Sequence, residues 1–368
     1  MNFQSEDFNA QFATRRSRSK TIKVLLVDDS PLALTILKRM LSSSPDIEIA
    51  GTAGNGKKAL ELLPGLHPTV ICTDFHMPVM DGLEFTREVM AQHPTPILVV
   101  SVSVQDGSAN VFELLEAGAL DVFPKPRGGL ASEFSRAAPE LIQKIRILAG
   151  VRVFRKARRE TVGIAAPNPE PEPEAAVRMY PPPRIVVIGA STGGPNALHT
   201  IVSGLPADFP VPVVCVQHIS DGFMAGLVEW LASQSKLRVE LARSGESPLP
   251  GRVYFPAEGA HLTFDDEGKF LTTMEPPFEG HRPSITLTMR SVVHHYGNAV
   301  VGVLLTGMGK DGAEGLLSIQ KAGGLTVAQD EESSIVFGMP RQAIELGAAR
   351  HVIPLDKVAG LLIQACGR

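Results

Sequence analysis

Residues 185–195 read IVVIGASTGGP. Ile185–Ile188 form a short, mostly β-branched apolar run, which predicts a strand buried on both faces. Gly189, Gly193 and Gly194 let the chain turn tightly, and Asn196–Leu205 has the apolar spacing of a helix. A strand feeding a helix through a glycine-rich turn is how a parallel α/β sheet opens, and it exposes Ser191 at the sheet edge beneath the helix's positive end. Gly189-Ala190-Ser191-Thr192-Gly193 also fits G-x-S-x-G, the pattern of a nucleophilic serine on a sharp turn. Alone, the turn has two other readings. One is plain structural punctuation. The other is a dinucleotide cradle, although the pattern is not G-x-G-x-x-G and the next strand ends in Gln217-His218, where a ribose-binding acid would be wanted.

Working outward toward the C-terminus, Val213–Gln217 predicts a strand and Met224–Ala232 a helix. Val239–Thr273 reads as shorter strands with turns. Ile285–His295 (helix), Val300–Leu305 (strand), Gly312–Ala322 (helix) and Leu325–Ala328 (strand) restore the alternation. The expectation for residues 184–368 is a doubly wound, mostly parallel α/β domain with an inserted β stretch. His218 stands at the end of its strand, and the loop Thr306-Gly307-Met308-Gly309-Lys310-Asp311-Gly312 presents Asp311 at a third strand end. Singly, the histidine reads as structural and the aspartate as a helix cap. Together, hydroxyl, imidazole and carboxylate on one sheet edge predict a triad, with Ser191 as nucleophile, His218 as base and Asp311 orienting it. Thr192 follows the nucleophile and is expected to orient His218. The chain order Ser, His, Asp is not that of ordinary α/β-hydrolases.

Toward the N-terminus, residues 21–148 show five strand and helix pairs from Ile22–Val27 to a helix near Phe134–Leu148, the signature of a five-stranded parallel, flavodoxin-like sheet. Strand ends carry Asp28 and Asp29, Asp74, Ser101 and Lys125. Asp28 and Asp29 also precede a plausible cap at Ser30-Pro31, and Asp74 also suits a turn. Three carboxylates converging on one edge call for a hard cation such as Mg²⁺, which would help Asp74 attack a phosphoryl donor. Between the two patterns, residues 149–183 hold a basic run, Arg152–Arg159, and PNPEPEPE (167–174), a composition expected of a linker. Residues 1–20 are polar and read as a disordered tail.

The chain's 368 residues exceed the ~250–300 at which one core stops growing, so two domains are expected. A net charge of −4 gives no basic field for nucleic acid, and no terminal helix-turn-helix pattern is apparent, so a DNA-binding output is disfavoured. The three cysteines form no metal or disulfide pattern. No run of ~18 apolar residues and no secretory core is present, which predicts a cytoplasmic protein that is not membrane-inserted.

The first pattern, with HMPVMDGLEF (76–85) and FPKP (123–126), resembles the response-regulator receiver domain. That resemblance implies that Asp74 accepts phosphate from a sensor histidine kinase of the CheA type, that Asp28, Asp29 and Asp74 hold Mg²⁺, and that Ser101 and Lys125 sense the phosphate. The family's aromatic three residues before the lysine is Val122 here. The second pattern resembles the CheB-type chemotaxis methylesterase in VIGASTGGP (187–195), VQHI (216–219), HRPSI (281–285), LLTGMGKDGAEGL (304–316) and VFGMPRQAIELGA (336–348). It implies hydrolysis of glutamyl methyl esters, and deamidation of glutamines, on cytoplasmic helices of methyl-accepting chemoreceptors, with no cofactor for the ester chemistry. Ser191, His218 and Asp311 would form the triad, and amides near Met308 and the 191–194 turn the oxyanion hole. His281, Arg282, Ser284 and Arg341 read either as substrate contacts or as structural pairs. The rival from another class is a binding module without chemistry.

Overall fold

A computed structural model describes residues 21–101, 111–125, 131–151, 153 and 182–367. The expected tail, 1–20, and most of the expected linker, 149–183, lie outside them.

The N-terminal unit is built on β1 (Ile22–Val27), β2 (Ile47–Ala53), β3 (Val70–Thr73), β4 (Ile97–Ser101) and β5 (Asp121–Pro124). They form one parallel sheet in the order β2-β1-β3-β4-β5. Alternate residues of β1 face opposite layers, as the strand period of two requires. Val24 and Leu26 pack with α1 (Pro31–Leu41) and α5 (Ala131–Ala149). Leu25 and Val27 pack with α2 (Gly56–Leu66), α3 (Gly82–Gln92) and α4 (Val111–Ala117). With both faces covered, β3 and β4 are buried throughout, so they read as unbroken apolar runs. Strand order reverses between β1 and β3, and ligands of open α/β sheets bind at such a crevice.

The second unit runs β6 (Ile185–Ala190), α6 (Gly194–Gly204), β7 (Val213–Gln217), α7 (Met224–Gln234), β8 (Arg238–Leu241) and β9 (Arg252–Phe255). A hairpin of β10 (His261–Phe264) and β11 (Phe270–Thr273) follows, then α8 (Ile285–Tyr296), β12 (Val300–Leu304), α9 (Ala313–Lys321) and β13 (Leu325–Gln329). It closes with α10 (Met339–Glu345), β14 (His351–Ile353) and α11 (Leu355–Cys366). Seven strands form a parallel sheet in the order β14-β13-β12-β6-β7-β9-β8. The expected inserted β stretch therefore splits. β8 and β9 extend the main sheet as parallel strands, whereas β10 and β11 pair antiparallel apart from it, with β10 packed on α8. Order reverses between β6 and β12, which places Ser191 and the loop carrying Asp311 in one crevice.

The units touch directly. Phe112 of α4 stacks on Trp230 of α7 with ring centroids 5.6 Å apart, and Asn196 Nδ2 of α6 donates to the Leu115 carbonyl at 2.8 Å. All three cysteines are buried, and burial pushes the Cys72 and Cys366 thiols up to about 12, which keeps them inert. Among the described residues no helix is long and apolar enough to cross a membrane.

Candidate active site

Ser191 sits just beyond β6, where the chain turns into α6. Gly193 adopts φ 78°, a conformation that side-chain-bearing residues rarely tolerate, and this sharpens the turn. The Ser191 amide donates to the Thr306 carbonyl at 3.0 Å, and a Cβ on Gly307 would lie 2.6 Å from Ser191 Cβ. The loop after β12 approaches the serine this closely because residue 307 has no side chain. Among the described residues, the Thr192 and Met308 amides have no acceptor, so two N–H groups flank the serine.

Asp311 is 3% exposed, and its environment explains how a carboxylate survives there. Its Oδ2 accepts from His218 Nε2 at 2.9 Å and from the Ile285 amide at 2.8 Å. Its Oδ1 accepts from Ser284 Oγ at 3.0 Å, the Thr286 amide at 3.0 Å and the Gly312 amide at 2.9 Å. Three of these partners belong to the start of α8, whose positive end favours an anion. Burial pushes the Asp311 carboxyl upward, but the His218 hydrogen bond and charge and the Thr286 donors outweigh it and hold the group well below the usual carboxylate range.

His218 therefore presents Nε2 to the carboxylate and has Nδ1 left for the hydroxyl. Its ring stacks on His281, with centroids 4.4 Å apart and planes 14° off parallel. Burial and the neighbouring His218 push the His281 pKa down. Ser191 and His218 line one cleft of about 420 Å³, but no hydrogen bond joins Ser191 Oγ to His218 among the described residues. Of the two triad hydrogen bonds expected, His–Asp is formed and Ser–His is not, a bond that commonly tightens only when substrate is bound. Glu140 and Lys144 of α5 line the same cleft, so the N-terminal unit reaches the mouth of the serine site.

At the N-terminal crevice, one carboxylate oxygen each from Asp28, Asp29 and Asp74 lie within 4.8 Å of one another. Lys125 Nζ is 2.7 Å from Asp74 Oδ2 and 2.8 Å from Asp28 Oδ2. That Asp28 oxygen is buried and accepts no hydrogen bond of good geometry, and an all-oxygen, acidic donor set of this kind fits a hard cation. Burial raises the Asp28 pKa, an effect that Lys125 and the Ser30 amide offset only in part. Ser101 is buried at the end of β4, and its carbonyl accepts from the Lys125 amide at 2.7 Å. The helix-cap reading of this segment also holds, since Ser30 caps α1 and Pro31 begins it.

Comparison with known proteins places this arrangement. Residues 186–362 match the family described as CheB methylesterase, and residues 24–130 match the response regulator receiver domain. A protein-glutamate methylesterase/protein-glutamine glutaminase of Nitrosospira multiformis is 42% identical over 93% of this chain and 96% of its own length. The chain belongs to the CheB methylesterase family. A relative from Geobacter metallireducens with the same name is 41% identical over 93% of this chain and 98% of its own length. The solved CheB methylesterase catalytic domain of Thermotoga maritima is 39% identical, covering 50% of this chain and 98% of that one with a TM-score of 0.48.

Within this CheB frame, several expected site residues take other places. Thr192 is tied through its carbonyl, which accepts from Thr306 Oγ1 at 2.9 Å, and no hydrogen bond links its hydroxyl to His218 among the described residues. Ser284 is fully buried as the N-cap of α8, so it reads as a structural donor to Asp311, not a substrate contact. Arg341 pairs with Glu345 one turn along α10. Arg282 and His281 do line the cleft. Two buried glutamines had no sequence signal. Gln217 Nε2 donates to the carbonyls of Ser191 (2.8 Å) and His218 (2.7 Å), clamping nucleophile and base to one group. Gln329 Oε1 accepts from the Thr306 amide at 2.8 Å and so fixes the start of the Asp311 loop.

Proposed function

We propose that this chain hydrolyses γ-glutamyl methyl esters, and deamidates glutamines, on the cytoplasmic helices of methyl-accepting chemoreceptors, giving sensory adaptation in chemotaxis. The His218–Asp311 hydrogen bond at 2.9 Å, in the cleft that holds Ser191, carries the reading. Ser191 Oγ attacks the side-chain carbonyl as His218 Nδ1 takes its proton, and Asp311 stabilises the imidazolium. The Thr192 and Met308 amides donate to the oxyanion, and losing one such donor typically costs ~10²- to 10³-fold in rate. Collapse expels methanol, or ammonia from an amide, protonated by His218. Water activated by the same imidazole then cleaves the acyl-enzyme to free glutamate and Ser191.

Asp74 is the phosphorylation site, with a histidine kinase of the CheA type as donor. Asp28, Asp29 and Asp74 would hold Mg²⁺, which would neutralise charge on the phosphoryl oxygens. Lys125 and Ser101 sense the modified Asp74, since the Lys125 ammonium already bridges Asp28 and Asp74. In the unphosphorylated chain α5 stands at the serine cleft, and phosphorylation shifts the equilibrium toward its withdrawal. The reading divides the chain into a receiver (21–148), a linker (149–183) and a catalytic domain (184–368). Methanol release from methyl-labelled receptor membranes tests it. Wild type releases methanol, faster with acetyl phosphate and Mg²⁺, and Ser191→Ala does not. Equal release by both proteins contradicts the assignment.

A further inference from the structure

Ser220 lies two residues beyond His218, is 9% exposed and lines the serine cleft. Its hydroxyl donates to Glu140 Oε1 at 2.8 Å. Glu140 is an exposed residue of α5, so the acceptor is a glutamate carboxylate presented by a helix at the mouth of the cleft. The reaction proposed above leaves the same group, a glutamate carboxylate on a helix, in the same cleft.

The surroundings make this hydroxyl selective. Ser220 is the direct donor. Arg282 brings positive charge to the rim, with its guanidinium fixed by bonds to the Met274 carbonyl at 3.2 Å and the Glu275 carbonyl at 3.1 Å. Lys144, one turn beyond Glu140, faces the cleft but is paired with Asp121 at 2.7 Å, so among the described residues Ser220 and Arg282 are the donors this rim offers a carboxylate from outside.

We propose that Ser220 is a carboxylate-reading subsite, filled by Glu140 of α5 when the domains are closed and by a free glutamate of the substrate helix when they are open. Glu140 is thus a built-in mimic of the helical substrate, and the two compete for one hydroxyl. This rests on the esterase reading above.

The test uses the full chain and two helical peptides. Each carries one γ-methyl glutamate, with either glutamate or glutamine one turn away. With acetyl phosphate and Mg²⁺ present, wild type should favour the glutamate peptide in KM by about fivefold, the difference between a hydrogen bond to a carboxylate and one to the neutral carbonyl of glutamine. Ser220→Ala should lose that preference with kcat little changed, and Ser220→Thr, which keeps the hydroxyl, should restore it. Glu140→Ala should keep the preference and raise the rate without acetyl phosphate by a similar factor. A Ser220→Ala protein that still favours the glutamate peptide overturns the inference, as does a Glu140→Ala protein with the wild-type unphosphorylated rate. Failure of the underlying reading looks different: wild type and Ser191→Ala would release methanol equally from both peptides.

Discussion

Asp311→Asn is the substitution whose consequences the site defines most completely. The carboxylate accepts five hydrogen bonds, three on Oδ1 and two on Oδ2. An amide of the same shape keeps only one accepting oxygen. Placed at Oδ1, that oxygen preserves the bonds to Ser284, Thr286 and Gly312, and the NH₂ then faces the Ile285 amide and His218 Nε2. The Ile285 N–H loses its acceptor, which costs about 1–3 kcal/mol for a buried donor left unsatisfied. The imidazole must accept at Nε2 and carry its proton on Nδ1, so the nitrogen facing Ser191 is no longer a base. By analogy with the same change in a serine protease triad, kcat should fall about 10⁴-fold with KM nearly unchanged. Urea unfolding gives the stability cost and initial rates of methanol release give the fall in kcat. The pH dependence has a fixed sign. Because the folded carboxyl is held below its ordinary pKa, its stabilising contribution is present at neutral pH and lost as pH falls from the ordinary carboxylate range toward the folded value. The stability gap between wild type and Asp311→Asn should therefore narrow in acid. A variant within tenfold of wild-type kcat, or a gap that widens in acid, refutes the triad role.

Asp74→Asn should abolish the response to acetyl phosphate while leaving the unphosphorylated rate at the wild-type value, read as methanol release with and without the donor. Asn196→Ala removes the bond to the Leu115 carbonyl that ties α6 to α4, so the unphosphorylated rate should rise by up to about tenfold, the scale of one hydrogen bond. Gln217→Leu breaks the clamp on Ser191 and His218, and kcat should fall about 10- to 100-fold with little change in KM, the expected cost of a nucleophile and base set ~1 Å out of register.

The strand and helix alternation, and the residues closing each strand, were legible because parallel sheets place ligands at strand ends. Ser191, His218 and Asp311 follow β6, β7 and β12, and Asp28, Asp29 and Asp74 follow β1 and β3, so local pattern alone located them. What holds Asp311 was not legible. Ser284 and the Ile285 and Thr286 amides lie some 25 residues upstream, and only the seating of α8 against the β12 loop brings them close. The same reason hid the Gln217 clamp, since a buried glutamine after an apolar run reads only as a strand end. Ser284 was ambiguous in sequence because a helix-capping serine and a substrate-binding one look alike. Contacts between the units, such as Phe112 on Trp230 and Ser220 with Glu140, depend on docking and have no periodic signal at all.

The most direct measurement is to quench the enzyme in acid during turnover of a methylated receptor peptide, digest it and map covalent adducts by mass spectrometry. A γ-glutamyl ester on the peptide containing Ser191, present in wild type and absent in His218→Ala, is the predicted result. Methanol release with no adduct at any residue, or with the adduct on a residue other than Ser191, would contradict the account.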